Sequence, residues 1–110
     1  MVKKKYIPDR GDIVWLNFNP TFGHEQKGRR PAIVLSPKIY NEKSGLMLVC
    51  PITSVIKGYP YEIVLEGKGA ILIDQIKSVA WQERKATFIA FSPDEVLIEV
   101  FDKIKTLLDV

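Results

Sequence analysis

Apolar residues along this chain fall in short runs, each bounded by turn-forming residues. The first is Asp12-Ile-Val-Trp-Leu-Asn-Phe18, opened by Pro8-Asp9-Arg10-Gly11 and closed by Asn19-Pro20. Runs of the same kind follow at residues 32–35, 46–52, 61–65, 70–73, 78–81 and 86–91. They are rich in β-branched and aromatic residues and separated by Gly and Pro, which predicts strands of a small, mainly β barrel or sandwich. Residues 37–44 read as a short helix or turn ending at Gly45. The period then changes near the C-terminus. Ser92 as N-cap, Pro93 at the first helical position and Glu95 three residues after the cap predict the start of a helix. Leu97, Phe101, Ile104 and Leu108, widened by Val100 and Leu107, give that helix an apolar face that must cover a sheet or a second subunit.

Length and composition narrow what such a fold can do. A chain of 110 residues with no repeat, low-complexity tract or linker reads as a single domain, 1–110, able to bury a core without metal or disulfide staples. Its longest apolar stretches, Ile13–Leu16 and Leu46–Cys50, are far below the ~20 residues that span a bilayer, so no membrane segment is expected. Lys3, Lys4 and Lys5 run into Tyr6-Ile-Pro-Asp-Arg10 rather than an apolar segment, so no signal peptide is read and the expected compartment is the cytoplasm. Cys50 is the sole cysteine and His24 the sole histidine. A structural disulfide and a Cys/His zinc site are both excluded, and no cofactor is called for.

Net charge is +3, but its distribution is lopsided: residues 1–57 carry ten Lys/Arg against four Asp/Glu, and residues 58–110 carry six against nine. The basic half is where a phosphate-bearing ligand is expected, with steeply salt-dependent binding. That half also contains a connection much longer than a hairpin requires, from Asn19 to Arg29. Within it and at its exit, His24, Glu25, Lys27, Arg29 and Arg30 gather a base, a carboxylate and cations between Gly23 and Gly28. Cleavage of RNA by its own 2′-hydroxyl needs these types and no metal, because the nucleophile is already tethered beside the phosphorus. One group takes the 2′-OH proton, another protonates the leaving 5′-oxygen, and cations stabilise the phosphorane. Glu25 or His24 suits the first task, and Arg30 offers a fork of donors for the last. The plainer alternative is a surface ion pair between Glu25 and Arg29 or Arg30. Three other places carry polar or aromatic groups beside a strand end. Thr53 and Ser54 can bind phosphate, Tyr59 and Tyr61 can stack on bases, and Asp74-Gln75 can act as an acid/base or base-reading pair. Each also reads as an ordinary turn.

Taken in order, Pro8-Asp-Arg-Gly-Asp-Ile-Val-Trp15, Phe18-Asn-Pro20, Gly23-His-Glu-Gln26, Gly28-Arg-Arg-Pro-Ala-Ile-Val-Leu-Ser36, Pro51-Ile-Thr-Ser54, Lys57-Gly-Tyr-Pro60 and Asp74-Gln-Ile-Lys-Ser78 with Trp81 resemble the MazF/PemK/Kid toxin family. The resemblance runs from about Tyr6 to Trp81, and the C-terminal helix fits it. It implies an SH3-like antiparallel β-barrel with a C-terminal helix, of the plasmid-maintenance-toxin type. It further implies a homodimeric toxin of a type II toxin–antitoxin pair. Such a toxin is a metal-independent endoribonuclease that cuts single-stranded RNA at short sequences, leaving a 2′,3′-cyclic phosphate and a 5′-hydroxyl and so arresting translation and growth. Carried over by motif, the catalytic arginine falls on Arg30, the strand-end threonine on Thr53 and the loop glutamate on Glu25, with His24 before it as in some members. One branch uses the aspartate that matches Asp74, with an arginine two residues earlier; that position is Leu72 here, which favours Glu25 and Arg30. The expected roles are then Glu25 as base with His24 as substitute, Arg30 on the phosphorane and Thr53 on a non-bridging oxygen. Lys27, Arg29, Ser54, Lys57, Tyr59, Asp74 and Gln75 would contact RNA. The expected partners are single-stranded RNA, a second copy of the chain and a cognate antitoxin with an extended acidic tail. Two other classes are compatible with such a barrel: a non-catalytic module binding nucleic acid or peptide, and a gyrase-poisoning toxin.

Overall fold

The central strands are buried on both faces, which is why their sequences read as continuous apolar runs rather than strict alternations. In the computed structural model, which describes residues 5–19 and 23–109, β1 (Asp12–Asn17) pairs antiparallel with β2 (Arg29–Val34). Ile13, Ile33 and Leu35 face one cluster of buried residues, which the C-terminal helix covers. Val14, Leu16, Ala32 and Val34 face a second cluster with Met47, Val49, Val79 and Trp81. Lys3, Lys4 and the Pro20 expected to close the first strand lie outside the described residues.

A short helix, α1 (Lys38–Ser44), links β2 to β3 (Leu46–Thr53). It ends where Gly45 adopts φ +73°, a left-handed turn that glycine takes without a Cβ clash, and donates its N–H to Asn41 O. Asn41 is fully buried and ties four segments together. Its amide donates to Pro8 O and Ser36 O, its Oδ1 accepts from Ser36 Oγ, and its carbonyl accepts from Trp81 Nε1.

β3 curls the sheet. Residues 46–49 pair with β6 (Lys77–Ala80), residues 49–51 with β2, and residues 52–53 with β5 (Gly69–Leu72), which in turn pairs with β4 (Glu62–Leu65). A single 3₁₀ turn, Ile73–Gln75, joins β5 to β6. β7 (Thr87–Phe91) pairs with β1, with a register shift between Ile13 and Val14. The result is mainly β, a curled antiparallel sheet forming a half-barrel with a C-terminal helix, in agreement with the fold the sequence implies.

The helix α2 (Asp94–Leu108) differs from expectation at both ends. Its N-cap is Pro93, and no side chain caps it. Ser92 instead donates its N–H to Gly11 O, while its buried hydroxyl has no partner among the described residues. That backbone bond holds Ser92 at the exit of β7, one residue short of the capping position. At the other end Leu108 is exposed, while Val96, Leu97, Val100, Phe101 and Ile104 make the packed face.

Candidate active site

The long β1–β2 connection is closed at its neck by backbone and Asn side-chain bonds. Phe18 N–H donates to Gly28 O, Gly28 N–H to Asn19 Oδ1, and Asn19 N–H to Asn17 Oδ1. Its far part is fixed by a residue distant in sequence: Gln26 N–H donates to Gln75 Oε1 at 2.9 Å. This places the loop against the 3₁₀ turn and opens a groove of about 770 Å³ between the loop, the end of β3 and the segment that follows it. His24, Arg30, Thr53, Ser54, Lys57, Tyr59, Tyr61, Asp74 and Gln75 line it, so nine residues singled out from sequence meet in one place.

Each is positioned for a physical reason. Arg30 enters from β2 with its Nε–H donated to Lys27 O at 2.6 Å, and no carboxylate among the described residues pairs with its guanidinium. Thr53 is buried at the end of β3, where its Oγ1 accepts the N–H of Val55 at 3.2 Å. A hydroxyl that accepts in this way still has its own proton to donate. Lys57 and Gly58 donate their N–H groups to Glu62 Oε1, at 3.1 and 2.9 Å, which holds the segment above the groove. Lys57 Nζ lies 5.7 Å from the Tyr59 ring centroid, so charge and aromatic surface are presented together. Beneath the groove Cys50 is buried, and its thiol is pushed up to about 12 by burial and by the nearby Asp74 charge. It is therefore unsuited to be a nucleophile at neutral pH.

Three residues expected in the site stand elsewhere. Arg29 alternates to the opposite face of β2 from Arg30, where its guanidinium donates to Lys85 O and Thr87 Oγ1. Lys27 contributes its carbonyl to Arg30 but does not line the groove. Glu25 lines an adjoining cavity of about 160 Å³, where its Oε2 lies 3.3 Å from Lys77 Nζ. The walls formed by Gln26, Asp74 and Gln75 are common to both spaces. Sequence reasoning passed over Glu62 and Lys77 as site residues. Glu62 carried no signal, being an ordinary polar position before an apolar strand. Lys77 sits within the Asp74–Ser78 motif, and only its contact across 52 residues reveals a role. Leu72, in place of the arginine of one branch, lines the groove beside Asp74.

The model for PemK-like, MazF-like toxins of type II toxin–antitoxin systems matches residues 9–108, nearly the whole chain. The chain belongs to the PemK/MazF family. Among relatives, the endoribonuclease toxin MazF of Escherichia coli K12 is 48% identical over 107 residues, covering 94% of this chain and 96% of that one. The endoribonuclease toxin ChpB of the same strain is 35% identical, covering 99% and 100%. A crystal structure of MazF from Deinococcus radiodurans superposes with a TM-score of 0.92 at 49% identity, covering 96% of this chain and 100% of that one. A MazE–MazF complex from the same organism gives 0.87 at 49% identity, with 96% and 99% covered. In this member of the PemK/MazF family, β2, the end of β3 and the 3₁₀ turn converge on one groove.

Proposed function

We propose that this chain is the endoribonuclease toxin of a type II toxin–antitoxin system, cutting single-stranded RNA at short sequences with the 2′-hydroxyl as nucleophile and without a metal ion. The observation that carries this reading is the convergence of His24, Arg30, Thr53 and Asp74 on one groove in a chain of this family. In the cut, the 2′-oxygen bonds to phosphorus as the bond to the 5′-oxygen breaks; the 2′-OH proton must leave, and the departing 5′-oxygen takes up a proton, from the protonated base or from water, to become the 5′-hydroxyl. We give the 2′-OH proton to His24, which lines the groove and carries a ring nitrogen able to accept it. Glu25, the base the sequence favours, lines the adjoining cavity with its Oε2 3.3 Å from Lys77 Nζ, and for this reason His24 takes the proton in our proposal and Glu25 is kept as the alternative. Arg30, tethered through Nε, turns its remaining donors to the non-bridging oxygens as charge builds on them, and Thr53 adds its hydroxyl.

The same reading includes its partners. A single copy leaves Leu46 and Leu48 of β3 and Phe88 and Phe91 of β7 exposed, apolar surface of the kind that interfaces bury. We assign it to a second copy of the chain and to an antitoxin whose acidic tail competes with RNA for the groove. No helix among the described residues is long and apolar enough to cross a membrane, and the proposed compartment is the cytoplasm.

The test is cleavage of a single-stranded RNA in EDTA. Wild type is expected to cut and to leave 5′-hydroxyl ends. His24→Ala should lose roughly 10²–10⁴-fold as a missing base does, and Arg30→Ala roughly 10²–10³-fold as a missing oxyanion donor does. RNA that is bound but left intact by wild type would make the chain a binding module instead.

A further inference from the structure

The β1–β2 loop has no regular structure of its own among its described residues, yet it must hold His24 in the groove. Two side-chain contacts fix it to the opposite wall: Gln26 N–H to Gln75 Oε1 at 2.9 Å, and Glu25 Oε2 to Lys77 Nζ at 3.3 Å. Gln75 is the last residue of the 3₁₀ turn, and Lys77, two residues on, is fixed by β6, where it pairs with Val49. Its Nζ also lies 5.8 Å from the ring centroid of buried Phe18, which limits where the ammonium can go. Asp74 lines the same small cavity as Glu25. Lys77 is the cation among the described residues that line this cavity, and its loss removes the charge that draws Glu25 to that wall.

We infer that Lys77 is a positioning residue for the reaction and that Glu25 acts through it, the two forming a clasp that sets the loop so that His24 reaches the scissile phosphate. This rests on the proposed RNA cleavage with His24 as base. An ion pair of this exposure is worth little as stability. Its effect falls on geometry, where a displacement of about 1 Å can cost roughly 10²-fold in rate.

A clasp and a base predict different patterns. Cleavage of a single-site RNA would be measured for wild type, Lys77→Ala, Lys77→Arg, Glu25→Gln, the Lys77→Ala/Glu25→Gln double variant and the charge swap Lys77→Glu with Glu25→Lys. Lys77→Ala and Glu25→Gln should each lower kcat by roughly 10- to 100-fold, leave KM nearly unchanged, and lose no more when combined. Lys77→Arg should restore kcat, and the swap should recover most of it. Hydrogen exchange at the Gln26 amide should quicken in both single variants, since that bond closes the same loop. Wild-type kcat in Lys77→Ala, losses that multiply in the double variant, or a Glu25→Gln loss far beyond that of Lys77→Ala would overturn the clasp. Failure of the underlying reading has a separate signature: no cleavage by wild type, or full activity in His24→Ala.

Discussion

A Cβ on Gly69 would lie 2.0 Å from the carbonyl oxygen of Thr53 and 2.9 Å from its carbonyl carbon, with φ already at +104°. No side chain fits there, so the start of β5 can back directly onto the strand end that carries Thr53 and Ser54. Gly67, two residues earlier, also has a positive φ of +76° but meets nothing within 4 Å. The pair separates backbone strain from displacement of the site. Gly69→Ala should destabilise by about 1–3 kcal/mol and depress cleavage well beyond that of Gly67→Ala, because only the first moves Thr53. Thermal unfolding and single-turnover cleavage of the two variants check this, and equal cleavage by both would remove Gly69 from any part in placing Thr53. At this scale the sequence was most legible where a motif is contiguous. Arg30, Thr53, His24 and Asp74 reach one groove as their motifs imply. Arg29 does not, because strand alternation turns neighbours to opposite faces, and an Arg-Arg pair gives no sign of which member faces in.

Among the elements, the strands are where the sequence pattern is plainest and α2 is where it misleads. Runs such as Ala32–Leu35 are apolar throughout because β2 has a packed layer on each side. The Ser-Pro-Asp-Glu signal marks the helix but misplaces its cap, since the competing bond from Ser92 N–H to Gly11 O depends on a turn 81 residues earlier. The two readings differ in sign under one substitution. A capping serine replaced by alanine costs about 1 kcal/mol. A buried hydroxyl without a partner costs nothing to remove, and since that of Ser92 has none among the described residues, Ser92→Ala should be neutral or stabilise by up to about 1 kcal/mol. Denaturant midpoints of the two proteins decide it, and a loss of a full kcal/mol would restore Ser92 as the cap.

For the molecule as a whole, the basic half of the chain overstates the charge that reaches RNA. Of its cations, Arg10 donates to Leu35 O and lies over the Phe101 ring, and Arg29 is held against Lys85 O and Thr87 on the far face of β2. Arg30 and Lys57 are the Lys and Arg side chains that line the groove among the described residues. With two such contacts to phosphate, the expected salt dependence is shallower than the steep one the charge split predicts. Single-stranded nucleic acid releases about 0.7 of a counterion per phosphate neutralised, so two such contacts give a slope of log affinity on log salt of roughly −1.4 for each chain. Between 50 and 200 mM salt that is a loss of about seven-fold. Fluorescence anisotropy with an RNA carrying 2′-deoxyribose at the cut site, which removes the nucleophile, measures it without cleavage. Lys57→Ala should lower the slope by about 0.7, whereas Arg29→Ala should leave it unchanged. A wild-type slope several times steeper, or one that responds to Arg29, would mean that RNA leaves the groove and runs across the outer face of β2.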